Sequence, residues 1–453
     1  MKLISQPRVW LAVPLFVVMV TLLACATKKT FANHGLVVRP AAKPFLQMPG
    51  RAEGVLPRLL SQTGAFRDPA QLTPDAALIP YDLNVPFWSD GASKARWLAL
   101  PGEEKIHFAA TGEWTFPRGT VFVKTFFLAT NELNPQSQRR LETRLLVCDA
   151  DGGVYGVTYK WRADGSDADL LATNLTENIA IKTATGTRTQ AWYYPSRADC
   201  LTCHTPLAGG VLGVKTRQLN RDFAYPASVT DNQLRAWNHL GLFDTNLNEA
   251  EIKNLPSLAR ATDTARSLTD RARSYLDANC ANCHRPRGTV AYFDARYDTP
   301  LAQQNLIAGQ VLIDQGIDRA RTIAPHDPWR SILFLHVNTT SAIKMPPLAH
   351  NVLDEPAVAR LREWIESLPG PEVVAPPEIL PGGGNFPKPV EVALRAAPGT
   401  DIRYTLDGSA PTAADLLYEK PLRIETSTVL RAKAFKPGCE KSITVQAVFV
   451  VGE

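Results

Sequence analysis

Apolar and polar positions alternate along this chain with two different periods, and the changes of period divide it. From Phe45 to Asp199 the period is two. Thr120 to Leu128 is rich in β-branched and aromatic residues, and Arg144–Asp149 and Val154–Trp161 flank Asp151-Gly152-Gly153, a hairpin signal. A β-rich domain over 45–199 follows. From Leu268 to Ala278, and again after Asp354, the period lengthens to that of a helix. Leu268, Ala272, Tyr275 and Leu276 share one face, and Val358, Leu361, Trp364, Ile365 and Leu368 form one stripe. Asp354 suits the N-cap of the second helix and Pro356 its first turn. The stretch from Pro369 to Pro389, with Gly382-Gly383-Gly384, breaks both patterns and reads as a linker. Beyond it alternation returns at Ile402–Leu406 and Val429–Phe435, with Asp407-Gly408 as a turn, which predicts a small all-β module.

The first 24 residues follow neither period. Lys2 and Arg8 precede an apolar run, Trp10–Leu23, that is too short to span a bilayer comfortably and reads as an export signal. It ends in Leu22-Leu23-Ala24-Cys25, which resembles the bacterial lipoprotein box; the resemblance implies cleavage after Ala24 and lipidation of Cys25. An ordinary secretory signal with an incidental Cys is the alternative. Ala26 stands where an Asp would favour retention at the inner membrane, so the expected location is the periplasmic face of the envelope, at the outer membrane. Residues 25–44 then form a tether.

Composition adds bounds. The chain has 453 residues, 45% apolar and 21% charged, which suits several ordinary globular domains. The net charge is +5, of which Lys2 and Arg8 supply two, too little to suggest nucleic-acid binding. The 35 prolines exceed the usual share of about 5% and fit a loop-rich exported protein.

The chemistry lies in the cysteines. Cys200-Leu-Thr-Cys203-His204 and Cys280-Ala-Asn-Cys283-His284 are both C-x-x-C-H, the form of covalent haem c attachment. The two thiols of each motif would form thioethers, and the adjacent His would offer a ring nitrogen to the iron. Four thiolates could instead hold zinc, but Cys203 and Cys280 are 77 positions apart and zinc does not require the two histidines. Two haem c groups are therefore expected. Cys148 and Cys439 are left over; export permits a disulfide between them, and two unrelated thiols are the alternative.

The sixth iron ligands are read differently at the two motifs. After His204 no Met occurs before Met345, and the next His is His239, 35 positions on; it is the candidate there, with His107 and Met48 weaker and an open position also admissible. Met345, in Lys344-Met-Pro-Pro-Leu348, lies 61 positions after His284 and is the candidate for the second iron, the alternative being a core-filling Met. The order helix, C-x-x-C-H, loops, Met-Pro-Pro, helix resembles the class I cytochrome c fold, which implies that role for Met345 and a positive potential.

Four runs, Pro80–Gly91, Phe116–Lys124, Leu141–Leu146 and Leu212–Arg221, resemble a family of bacterial exported di-haem c-type cytochromes over about residues 46–368. The resemblance implies electron transfer and supplies no substrate. Tyr404–Thr412, Tyr418–Leu422 and Arg431–Gly438 resemble the Ig-like β-sandwich found at the C-terminus of chitobiases, an accessory module without catalytic residues.

The expected fold class is multidomain α+β: signal 1–24, tether 25–44, β-rich domain 45–199, first haem segment 200–260, class I cytochrome c-like domain 261–369, linker 370–385 and Ig-like sandwich 386–453. The expected function is a lipid-anchored di-haem relay between redox protein partners of the envelope. Two alternatives stand beside it: a peroxidase-like oxidoreductase with an open first haem, and a glycan-binding protein using the aromatic residues of the β domain or the terminal sandwich.

Overall fold

A computed structural model of the chain describes residues 34–225, 228–289 and 292–452. The export signal, Cys25 and the first part of the tether lie outside the described residues. After a short pair, β1 (Phe66–Asp68) and β2 (Thr73–Pro74), comes the sheet on which the rest is built. It is antiparallel, in the order β3 (Ile79–Tyr81), β4 (Ser93–Ala99), β5 (Val121–Ala129), β6 (Gln138–Cys148), β7 (Val154–Trp161), β8 (Ala168–Leu170). The expected hairpin joins β6 and β7: Asp149 Oδ1 accepts from the Asp151 and Gly153 amides, and Gly152 takes a positive φ of 93° that suits glycine. A second hairpin, β9 (Leu175–Thr183) and β10 (Gly186–Tyr194), leads into helix α1 (Arg197–Cys203), which carries the first pair of motif cysteines.

Alternation puts two different faces on the sheet. Val121, Val123, Leu145, Val147, Tyr155 and Val157 point to one side and pack on Leu60, Leu78 and Met48. Leu98, Phe122, Leu146 and Cys148 point to the other, where Leu234, Trp237, Leu242 and Phe243 join them in one core. Trp237 belongs to helix α2 (Gln233–His239), reached through the ribbon β11 (Asp222–Ala224) and β12 (Thr230–Asn232). The segment after the first motif thus has no separate core; it completes that of the β domain. The aromatic residues that could have formed a sugar platform are mostly inside: Trp97, Trp114, Trp161, Trp192 and Tyr194 are buried.

The second motif follows α3 (Leu268–Asn279), and helices α4 (Ile332–Val337) and α5 (Glu355–Ser367) complete this part. Ala272, Tyr275 and Leu276 of α3 meet Phe334 of α4 and Leu361, Trp364 and Ile365 of α5 in one core, as the two periodic stripes require. Asp354 caps α5 by accepting from the Ala357 amide at 3.2 Å, and Trp364 Nε1 donates to Thr269 Oγ1 at 3.1 Å.

The C-terminal part is a β-sandwich. One sheet has β13 (Glu378–Leu380), β15 (Val390–Arg395) and β18 (Leu422–Ile424); the other has β14 (Gly384–Phe386), β16 (Asp401–Thr405), β17 (Leu416–Leu417), β19 (Thr428–Phe435) and β20 (Val445–Val451). Val392, Leu394, Ile402, Leu430 and Phe449 fill the space between them. The sandwich is fastened to the α3–α5 part. The buried Arg330 donates to the carbonyls of Lys441 and Ser442, both at 3.2 Å, and Arg319 pairs with Glu440 at 2.8 Å.

Cys148 and Cys439 are both free thiols. Among the described residues no helix is long and apolar enough to cross a membrane.

Candidate functional site

The two C-x-x-C-H motifs, 80 positions apart in sequence, meet in space. The thiols of Cys203 and Cys283 lie near enough to act on one another, which raises the pKa of Cys203 and lowers that of Cys283 from the usual thiol value. Beside them Arg285, the residue after the second motif, donates to the Leu207 carbonyl at 3.1 Å and to Glu113 at 2.9 Å. Lys215 reaches Asp277 of α3 at 3.0 Å in a buried pair. Two further ties come from the Pro80–Gly91 run. The Trp88 amide donates to Asn279 Oδ1 at 2.7 Å and its indole to the Val352 carbonyl at 2.9 Å. Asp90, almost wholly buried, accepts from the Asn351 and Val352 amides and the Asn351 side chain. The loop after the Met-Pro-Pro sequence is therefore anchored to the β domain.

At the first motif, local chemistry seats α1. Ser196 caps it by accepting from the Asp199 amide at 3.2 Å, and Asp199 returns by accepting from Ser196 and from Tyr193. The helix lies on β7 at Gly156, where a Cβ would come within 2.8 Å of both Cβ and Sγ of Cys200. Cys200, Cys203 and His204 line a cleft between the sheet face and the α3–α5 part, with apolar walls from Leu83, Phe87, Phe122, Leu146, Val211 and Leu348. His204 Nδ1 is 2.7 Å from the Gly210 carbonyl. Burial, followed by the charges of Lys124 and Arg144, lowers its pKa to about 4, so the ring is neutral and Nδ1–H is the donor. This leaves Nε2 as the free base, which is how a backbone carbonyl orients an iron-ligating imidazole.

At the second motif Cys280 ends α3, and burial pushes its thiol up to about 12. The His284 ring stacks on Phe293, with centroids 4.4 Å apart and planes 16° apart. Burial and then the neighbouring His336 lower its pKa to about 4. Nδ1 of His284, Nε2 of His336 and Nε2 of His350 are each buried without a hydrogen-bond partner. Met345 touches two of these residues through its backbone: its amide donates to the His336 carbonyl and its own carbonyl is 2.9 Å from His350 Nδ1. Met345 as a whole is 37% exposed.

The candidates for the first sixth ligand are not brought to His204. His239 is exposed at the end of α2, its ring stacked on His34 at 3.6 Å with planes 3° apart. His107 faces Asp244 at 2.5 Å, and Met48 is packed in the core on the far side of the sheet. None of the three lines the cleft.

Both sites fit a covalently held haem by their donors: two thiols and a neutral imidazole on an apolar wall at the first, and two thiols, an imidazole and unpaired ligand atoms at the second. Zinc fits less well. Among the described residues no three His, Cys, Asp or Glu side chains come together so as to hold a metal ion, so the four thiols do not form the closed set that structural zinc takes.

The strand order and filled interior of the C-terminal sandwich bear on kinship. Residues 381–446 match the Chitobiase/beta-hexosaminidase C-terminal domain. The match covers this module and no part of the two motifs. Among curated proteins no match to the chain is found. Within the chitobiase-type module, the contacts to Arg319 and Arg330 come from the Cys439–Ser442 turn, leaving the remainder of the sandwich outside the cleft region.

Sequence reasoning missed the charged residues of the cleft. Lys94, Arg96, Lys124 and Arg144 all line it. Lys124 is the one charged residue in Thr120–Leu128, and that was the available signal.

Proposed function

We propose that this chain is an exported di-haem c-type cytochrome that relays single electrons between redox partners of the cell envelope, held there by a lipid on Cys25. The observation that carries the reading is the pair of complete C-x-x-C-H motifs, Cys200–His204 and Cys280–His284, whose Cys203 and Cys283 side chains lie near one another. Cys200 and Cys203 would hold one haem and Cys280 and Cys283 the other, with His204 and His284 as the axial bases. When bound, each haem supplies an iron that accepts and returns one electron.

The chain's own residues do the positioning. Gly210 fixes the His204 tautomer, Phe293 fixes the plane of the His284 ring, and the Asp90 clamp holds the loop that carries Met345. The nearness of the two motifs lets charge on one site be felt at the other. Met345 would supply a thioether sulfur to the second haem in this reading, with α3 and α5 resembling the paired helices of a class I cytochrome c.

A redox titration tests the pairing. With the motifs in contact, oxidation at one site should raise the potential of the other by on the order of 50–100 mV, the effect of a unit charge ~10 Å away at an effective dielectric near 20. The Cys280→Ala/Cys283→Ala variant should show a single, simple titration for the remaining haem. Two haems that titrate independently, unaffected by removal of the other, would count against a relay built on this contact.

A further inference from the structure

Three cations stand in register across the middle of the central sheet. Arg96 pairs with Lys124 between β4 and β5, and Lys124 with Arg144 between β5 and β6. Side chains directly opposite on adjacent strands start about 5 Å apart, and like charges so placed destabilise a sheet. Lys94 projects from the same face two residues before Arg96, and all four line the cleft of Cys200, Cys203 and His204. The row begins one strand from Gly156, which touches Cys200, and runs roughly 10 Å across two strand spacings.

The protein's own anions answer only the ends of the row. Arg96 meets Asp82 at 2.6 Å, and Arg144 meets both oxygens of Glu142 at 2.9 and 2.5 Å. Lys94 donates to the Phe87 and Ala92 carbonyls. The two carboxylates on the cleft wall are engaged elsewhere, Asp277 with Lys215 and Asp199 with Tyr193 and Ser196. Lys124, at the centre, has neither hydrogen-bond nor ion-pair partner among the described residues; its ammonium lies 5.3 Å from the centre of the Phe126 ring. An ammonium set between two like charges with no anion of its own is costly to hold there.

We propose that this row is an anion site in which Lys124, flanked by Arg96 and Arg144 with Lys94 beside them, receives a carboxylate or a small inorganic oxyanion. The shared chemistry has two sources. One is the pair of carboxylates carried by the first haem, a source that rests on the reading above; the other is a free oxyanion entering the cleft from solvent.

The test compares the haem-loaded protein with its Lys124→Met and Lys124→Arg variants, using sodium nitrite as the probe. If the site takes a free anion, nitrite raises the thermal midpoint of the wild type. Lys124→Met then weakens nitrite binding at least tenfold and Lys124→Arg restores it. If the haem's own carboxylates fill the site, nitrite has no effect, Lys124→Met lowers the first haem's potential because a cation that opposed ferric iron is gone, and Lys124→Arg recovers it. Lys94→Met gives the same readouts in weaker form should Lys124→Met accumulate poorly. The proposal is overturned if Lys124→Met responds to nitrite as the wild type does, keeps its potential and is equally or more stable, the result of simply relieving like-charge repulsion. Should neither motif carry haem, the di-haem reading fails by its own measurement, and the thermal response to nitrite still decides the anion site.

Discussion

Met345→His should keep the second haem six-coordinate and lower its reduction potential, by on the order of 0.1–0.3 V of the ~0.8 V range that axial ligation spans. Imidazole stabilises ferric iron better than a thioether does, which fixes the sign. The substitution is informative because Met345 is 37% exposed, so exchanging it removes few apolar contacts and stability should change by less than about 1 kcal/mol. The first haem should keep its spectrum, since Met345 is not on the cleft wall of His204, and its potential should move by no more than the coupling between the sites, on the order of 50–100 mV. The rival ligand is His336, whose Nε2 is buried without a partner and whose charge is felt by His284. An unchanged spectrum and potential in Met345→His, together with a changed spectrum in His336→Ala, would assign the iron to His336.

Trp237→Ala should destabilise the protein by about 3–5 kcal/mol, the usual cost of removing a large buried aromatic side chain. Trp237 is fully buried, and its ring lies 6.1 Å from Tyr81 of β3, 6.3 Å from Trp114 and 6.4 Å from Phe243. These neighbours come from the sheet, from the loop between β4 and β5, and from the segment after the first motif, so the loss is shared by all three. Denaturant unfolding followed by tryptophan fluorescence and by the Soret band should therefore shift together to lower denaturant. Two separated transitions, with the sheet unfolding as in the wild type, would show that the first motif's segment has an independent core after all.

The elements that depend on local pattern were legible in the sequence. The stripes of α3 and α5, the Asp354 cap, the β6–β7 hairpin and the C-terminal module each follow from periodicity or turn chemistry within a dozen residues. What depended on register and tertiary approach was not. The Pro80–Gly91, Phe116–Lys124 and Leu141–Leu146 runs stood out, but their roles appear only when strand pairing puts Arg96, Lys124 and Arg144 in one line and folding brings Asp90 to Asn351. The contact of Cys203 with Cys283 is of the same kind, because no spacing rule relates two motifs held on different cores. His239 shows the opposite failure. Nearness in sequence made it a candidate for the first iron, whereas α2 points it away from the cleft and against His34.

Everything proposed for function rests on covalent haem at both motifs, and its content is directly measurable. The exported protein should carry two haems per chain that survive acid–acetone extraction and denaturing electrophoresis, and Cys200→Ala/Cys203→Ala should carry one. A correctly exported wild-type protein that contains tightly bound zinc and no covalent haem would contradict the account.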